Sequence, residues 1–137
     1  MNKKELDFIL QEGEGLNIEF KESGKNLDHE IVAFANTNGG RIFLGVTDSG
    51  EVKGIAVSNR LKSQIQDLAR NCDPVLDVRL EVCKNILIIH VPESEQKPHK
   101  CSSGFYFRSG ANSQKMSQTE IVDFVFDQGR KAFDSLI

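Results

Sequence analysis

The sequence predicts an α+β single domain in which a mixed, largely antiparallel sheet is packed by about four helices. Three observations lead there. The chain has 137 residues, 39% of them hydrophobic, which suits one core and leaves little for a second. Apolar residues recur at helical spacing in four stretches, and in six others they alternate or run in short β-rich blocks. The segments follow the order helix, strand, helix, two strands, helix, three strands, helix, so hairpins prevail over the regular βα alternation of a doubly wound nucleotide fold. One domain over 1–137 is expected, with no internal repeat and no low-complexity tract.

The first helix, over 3–11, turns Leu6, Ile9 and Leu10 inward and stops at the glycines of Glu12-Gly13-Glu14-Gly15. Residues 17–21 alternate, with Ile18 and Phe20 on one face and Glu19 and Lys21 on the other. A second helix over about 27–36 carries Leu27, Ile31, Phe34 and Ala35 on one stripe. Asn36, Asn38, Gly39 and Gly40 serve its end and the tight turn. Residues 41–46 form an apolar strand in which Gly45 is given a packing role, and Asp48-Ser49-Gly50 turns it into a partner at 51–55.

A third helix over about 58–71 repeats the stripe with Leu61, Ile65, Leu68 and Ala69 and ends before Asp73-Pro74. Strands at 75–82 and 86–91 make a second hairpin, 92–103 is a polar loop, and 105–108 is a last short strand. In that strand Phe105 and Phe107 are expected inward and Tyr106 outward. Ser117 and Glu120 form a capping box for a terminal helix over about 117–135. Its Phe124, Phe126 and Phe133 are too many for one inward face, which points to a contact with another subunit.

Composition excludes several classes. The longest apolar runs are far short of the roughly 18 residues of a membrane span, and the first residues turn acidic where a leader would be apolar. A soluble, cytoplasmic protein with no membrane partner is expected. The 3 cysteines, Cys72, Cys83 and Cys101, are odd in number and lack a CxxC pair, so free thiols are expected in place of disulfides. A zinc site from Cys72, Cys101 and His99 is conceivable but has no ligand spacing behind it. Gly24-Lys25 lacks the P-loop flanks, and Gly13-Glu14-Gly15 lacks the third glycine of a dinucleotide fingerprint, so no nucleotide cofactor is expected. No G-x-S-x-G or HExxH pattern occurs.

Net charge is −3, unevenly spread. Residues 1–30 hold eight acids against four lysines, whereas 97–115 holds no acid and carries Lys97, Lys100, Arg108 and Lys115 around Phe105, Tyr106 and Phe107. Two solvated faces of opposite sign explain this as well as a metal site beside a polyanion surface does. The turns sharpen the question. Glu14 precedes the strand that carries Glu19, and Asp48 follows the 41–46 strand. If those strands are neighbours, three carboxylates converge, a hard-oxygen set suited to Mg²⁺ or Mn²⁺ at a phosphodiester. The plainer alternative pairs Glu19 with Lys21 or Arg41 and leaves Asp48 as a turn residue.

Four motifs in order, GLNIEFKES, IVAFANTNGGRIFLGVTDSGEVKGI, VPESEQKPHK and GFYFRSGANSQKMSQTEI, cover about 12–125. Together they resemble the Schlafen-type Alba-like (AlbA_2) domain of the Schlafen family, a nucleic-acid-binding domain. The resemblance implies that two glutamates five residues apart and an aspartate after the glycine-rich strand form the nuclease site of the RNA-cleaving members. Here those positions are Glu14, Glu19 and Asp48. It implies a phosphate contact for Lys21 and a substrate-surface place for Arg108; the basic run adds Lys97, Lys100 and Lys115 as backbone contacts, and the outward Tyr106 is a candidate to stack on a base.

The expectation is a Mg²⁺- or Mn²⁺-dependent endoribonuclease acting on structured RNA such as tRNA. The animal enzymes clamp substrate between two such lobes, so a single lobe would need a homodimer. The alternatives are a non-catalytic DNA- or RNA-binding module and a protein-interaction domain.

Overall fold

The computed structural model describes residues 1–134. Helix α1 (Lys3–Glu12) starts at Asn2, whose side chain accepts from the Glu5 amide, and stops at Gly13 with φ of 91°. Strand β1 (Ile18–Lys21) leads to α2 (Leu27–Asn36) and β2 (Gly40–Leu44), with β1 and β2 parallel and α2 crossing between them. Helix α3 (Asn59–Arg70) begins at Ser58, whose hydroxyl accepts from the Leu61 amide. The hairpin of β3 (Arg79–Cys83) and β4 (Ile86–Val91) completes a four-stranded sheet of order β1-β2-β4-β3.

A second, antiparallel sheet is made by β5 (Lys100–Cys101), β6 (Gly104–Ser109) and β7 (Asn112–Lys115). Helix α4 (Gln118–Asp134) closes the described chain, with the Ser117 and Glu120 side chains capping its start reciprocally. The α+β class and four helices are as expected. Residue 135, the expected end of the last helix, lies outside the described residues. No helix among them is long and apolar enough to cross a membrane.

Strand alternation divides the core. Phe20, Phe43, Ile86 and Ile88 face α1 and its Leu6, whereas Ile42, Leu44, Leu87 and Ile89 face α2 and α3. On its other side α2 meets the second sheet through Cys101 and Tyr106. Covered on both sides, it is buried from Glu30 to Asn36 without a break.

Several boundaries move. Residues 51–55 form no strand, only a bridge from Val46 to Val52, because the Lys53 and Gly54 amides both donate to Gly45 O. A Cβ on Gly45 would lie 3.1 Å from the Gly54 backbone, so this glycine serves a close backbone approach in place of the expected packing role. The strand expected at 75–82 begins only at Arg79, the 92–103 loop ends in β5, and the polar β7 was not expected.

Candidate functional site

Parallel pairing brings the end of β1 beside the end of β2. Lys21 O accepts from the Gly45 and Val46 amides at 2.7 and 3.1 Å, so the chain leaving β2 stays against β1 before it turns at Asp48. The turn is held by the Gly50 amide on Thr47 O and the Glu51 amide on the Thr47 hydroxyl. Glu14, arriving from the glycine stop of α1, and Glu19, on β1, each place a carboxylate oxygen 3.1 Å from the same donor, the Phe20 amide. Glu14 and Glu19 are thus brought together on one donor, and Asp48 reaches them only through its charge at Glu14.

Burial pushes the Glu14 carboxyl above the ordinary glutamate range. The Phe20 amide and Arg108 oppose that shift, and the negative charges of Asp48 and Glu30 add to it. The Glu14 carboxyl therefore keeps its proton to higher pH than an ordinary glutamate does. Asp48 itself is exposed.

The cation at the centre of this cluster is Arg108, which is 3% exposed. Its Nη1 donates to Glu19 Oε1 at 3.2 Å, Glu30 Oε2 at 3.1 Å and Ser113 Oγ at 3.1 Å. Its Nη2 donates to Gly15 O and Ile18 O at 2.8 and 2.9 Å, and Nε donates again to Gly15 O. The guanidinium also lies 4.7 Å from the centre of the Phe34 ring. The planar fork meets acceptors on every edge, which a lysine would not do.

This corrects two expectations. Arg108 is inside, not on a substrate surface, and Glu19 pairs with it in place of Lys21 or Arg41. Along β6, Tyr106 and Arg108 point inward while Phe105 and Phe107 are half-buried, opposite to the expected phase. Tyr106 is 8% exposed and stacks on His29 at 4.3 Å between ring centres, so it offers no free face to a base.

The remaining basic residues divide. Lys97 donates to Glu93 at 2.6 Å and to Thr37 O at the end of α2, so it closes that helix instead of standing free for phosphate. Lys100 and Lys115 are exposed, opposite Phe105 and Tyr106 in the second sheet. Lys21 lines an open groove with Ser23, Lys25, Asn26 and Asp48 beside the acids.

Glu30 and Ser113 were not foreseen as members of the cluster. Ser113 Oγ donates to Glu30 Oε2 at 2.6 Å, so the acid has two partners and its burial is satisfied. The signal for Glu30 was present, since it sits on the apolar stripe between Leu27 and Phe34. Asn36 does more than end a helix. Its amide donates to His99 O and Tyr106 O at 2.9 Å each and accepts from the His99 amide at 2.7 Å, which ties α2 to the second sheet.

The zinc set of Cys72, Cys101 and His99 does not form. Both ring nitrogens of His99 are engaged, Nδ1 with Pro74 O at 2.7 Å and Nε2 with Ser94 Oγ at 2.6 Å. All three cysteines are buried and free, and burial pushes the Cys72 thiol up to about 12. For a hard cation at the acids, the donor chemistry of Glu14, Glu19 and Asp48 fits. Among the described residues, however, their ligand oxygens do not all lie within 4.8 Å of one another.

The family model described as Schlafen, AlbA_2 matches residues 14–117, which takes in Glu14, Glu19, Asp48 and Arg108 and leaves α4 outside. Among solved structures, the DIP2311 protein from Corynebacterium diphtheriae is similar over 82% of this chain at 20% identity with a TM-score of 0.60. The chain spans 27% of that protein's length, and the likeness is one of fold. The N-terminal domain of a RecG-related protein from Nitrosomonas europaea aligns over 83% of this chain and 90% of its own at 25% identity, with a TM-score of 0.49. No curated protein matches the chain.

Proposed function

Because this chain belongs to the Schlafen AlbA_2 family, we propose that it is a nucleic-acid-binding domain whose acidic cluster hydrolyses the phosphodiester backbone of structured RNA, tRNA being the first substrate to try. One observation carries the catalytic part: Glu14 and Glu19 share the Phe20 amide, and the charge of Asp48 is felt at Glu14. Glu14, Glu19 and Asp48 would hold Mg²⁺ or Mn²⁺, which when bound supplies charge stabilisation and an activated water.

The chain's own residues then have separate tasks. Arg108 fixes Glu19 and Glu30, so the acids keep their positions without substrate. Metal binding needs the Glu14 carboxyl ionised, so its raised pKa makes metal affinity climb with pH. Lys21 and Lys25, lining the groove that Asp48 shares, would neutralise the backbone phosphates, and the exposed Lys100 and Lys115 on the second sheet are further candidates for that role.

A second copy would provide the other jaw of a clamp. Helix α4 supports it: Val122, Val125, Phe126 and Phe133 are exposed, and none of its residues is buried. Three of its four acids, Glu120, Asp123 and Asp127, precede its bases Arg130 and Lys131, with Asp134 after them, so an antiparallel copy would set mostly opposite charges against each other.

A non-catalytic binding module is the second reading, favoured by the bond that commits Glu19 Oε1 to Arg108. End-labelled tRNA, single-stranded RNA and duplex DNA, each with Mn²⁺, Mg²⁺ or EDTA, separate the two. Metal-dependent cleavage lost in Asp48→Ala supports the nuclease. Salt-dependent binding without cleavage, tightened by Asp48→Ala, replaces it with the module.

A further inference from the structure

Away from the acidic cluster, α2 and β5 bring together three donors of a different kind. Asp28 and His29 lie in the first turn of α2 and Cys101 on β5, and their ligand atoms all lie within 4.8 Å of one another. We propose that Asp28, His29 and Cys101 form a Zn²⁺ site that ties the start of α2 to the second sheet. A thiolate, an imidazole and one carboxylate are the donors of a borderline-soft ion; Mg²⁺ and Ca²⁺ prefer oxygen alone.

The site is partly built. Cys101 is 6% exposed, and its thiol lies 3.5 Å from Gly104 O and interacts with the Asp28 carboxylate. The His29 ring is held by its stack on Tyr106, with Nε2 3.4 Å from the Tyr106 hydroxyl and 3.9 Å from Asp28 Oδ1. Metal bonds of about 2.0–2.3 Å place tetrahedral donors roughly 3.3–3.7 Å apart, so closure asks for a contraction of at most about 1.5 Å. Two helix-turn side chains can supply that by changing rotamer.

Charge and protons balance. Zn²⁺ displaces the thiol proton of Cys101, which leaves to solvent, and neutral His29 with the Asp28 carboxylate completes a set of two negative charges against two positive. The result is neutral, which suits a half-buried place. A water fills the fourth position. Cys72, close enough to Cys101 and Asp28 for its thiol to feel both charges, lies outside the set of three. Glu30 follows His29 directly, so the tie also steadies the α2 turn that holds Arg108.

The full chain, stripped of metal, is titrated with Co²⁺ and then with Zn²⁺. The expected result is one Co²⁺ per chain, with visible bands of tetrahedral intensity and a near-ultraviolet thiolate charge-transfer band that Zn²⁺ bleaches, together with a raised Tm in Zn²⁺. Cys101→Ser should remove the charge-transfer band, His29→Gln should weaken binding at least tenfold, and Cys72→Ser should leave the spectrum unchanged. Should Cys101→Ser fail to fold, His29→Gln and Cys72→Ser decide. Absence of the charge-transfer band, its loss in Cys72→Ser, or its persistence at full affinity in His29→Gln overturns the site.

Discussion

Replacing Arg108 with Met tests whether this side chain is the centre of the cluster or a surface contact. The substitution keeps much of the aliphatic volume and removes six hydrogen bonds, two of them from Nη1 to Glu19 and Glu30. Breaking a buried ion pair by deleting one partner costs about 3–5 kcal/mol. With an unfolding entropy of roughly 2.1 cal/mol/K per residue over 137 residues, about 0.29 kcal/mol/K, that is a fall in Tm of about 10–17 °C.

Calorimetry and urea titration give the two numbers. Arg108→Met/Glu30→Gln should be more stable than the sum of the single substitutions by about 0.5–3 kcal/mol, the range of coupled neighbours. A loss below about 1 kcal/mol in Arg108→Met, or additivity in the pair, would refute the network. Arg108→Lys should keep the salt slope of nucleic-acid binding in whatever fraction folds, because the side chain does not face the groove.

Glu14 has a folded pKa above its unfolded value, so its stabilising contribution is complete below the ordinary glutamate range and is lost as pH rises through the raised value. Glu14→Gln should therefore be the more stable protein at neutral pH, with the difference closing toward pH of about 4 in urea titrations. Gly39→Ala should lose at least about 1–2 kcal/mol. Its φ is +73°, and the added Cβ would lie 2.8 Å from Glu93 N and 2.9 Å from Val91 O, both backbone. If α4 pairs with a second copy, Phe126→Asp should convert a dimer to a monomer in sedimentation without lowering the Tm of the monomer; a monomeric parent protein would remove that interface.

Periodicity was enough for the helices and for strands β1 and β2, because each has an apolar face whose spacing is its signature, but their parallel pairing was only a condition of the argument. The turns pointed to Glu14 and Glu19 as a pair, and the two share the Phe20 amide. The phase of β6 was not legible. Two phenylalanines argued for the inward side, but Glu19 and Glu30 are buried behind that strand and need a cation, so Arg108 and with it Tyr106 take the inside. Strand β7 was invisible because Asn-Ser-Gln-Lys has neither apolar alternation nor β-branched residues. Nor could local pattern show that α2 is covered on two sides, since the second sheet that covers it comes some seventy residues later in the chain.

The bonds from Arg108 to Gly15 join residues 93 apart. A ribosome making this chain delivers β1, α2 and β2 before the one cation that pairs with both Glu19 and Glu30. Closing a loop of that length carries an entropic term of about 4 kcal/mol beyond a constant, so the early segments gain nothing from Arg108 until β6 has emerged. The N-terminal half is thus dependent on a residue made late, and a ribosome that stalls before β6 leaves Glu19 and Glu30 without the cation that they share in the finished fold.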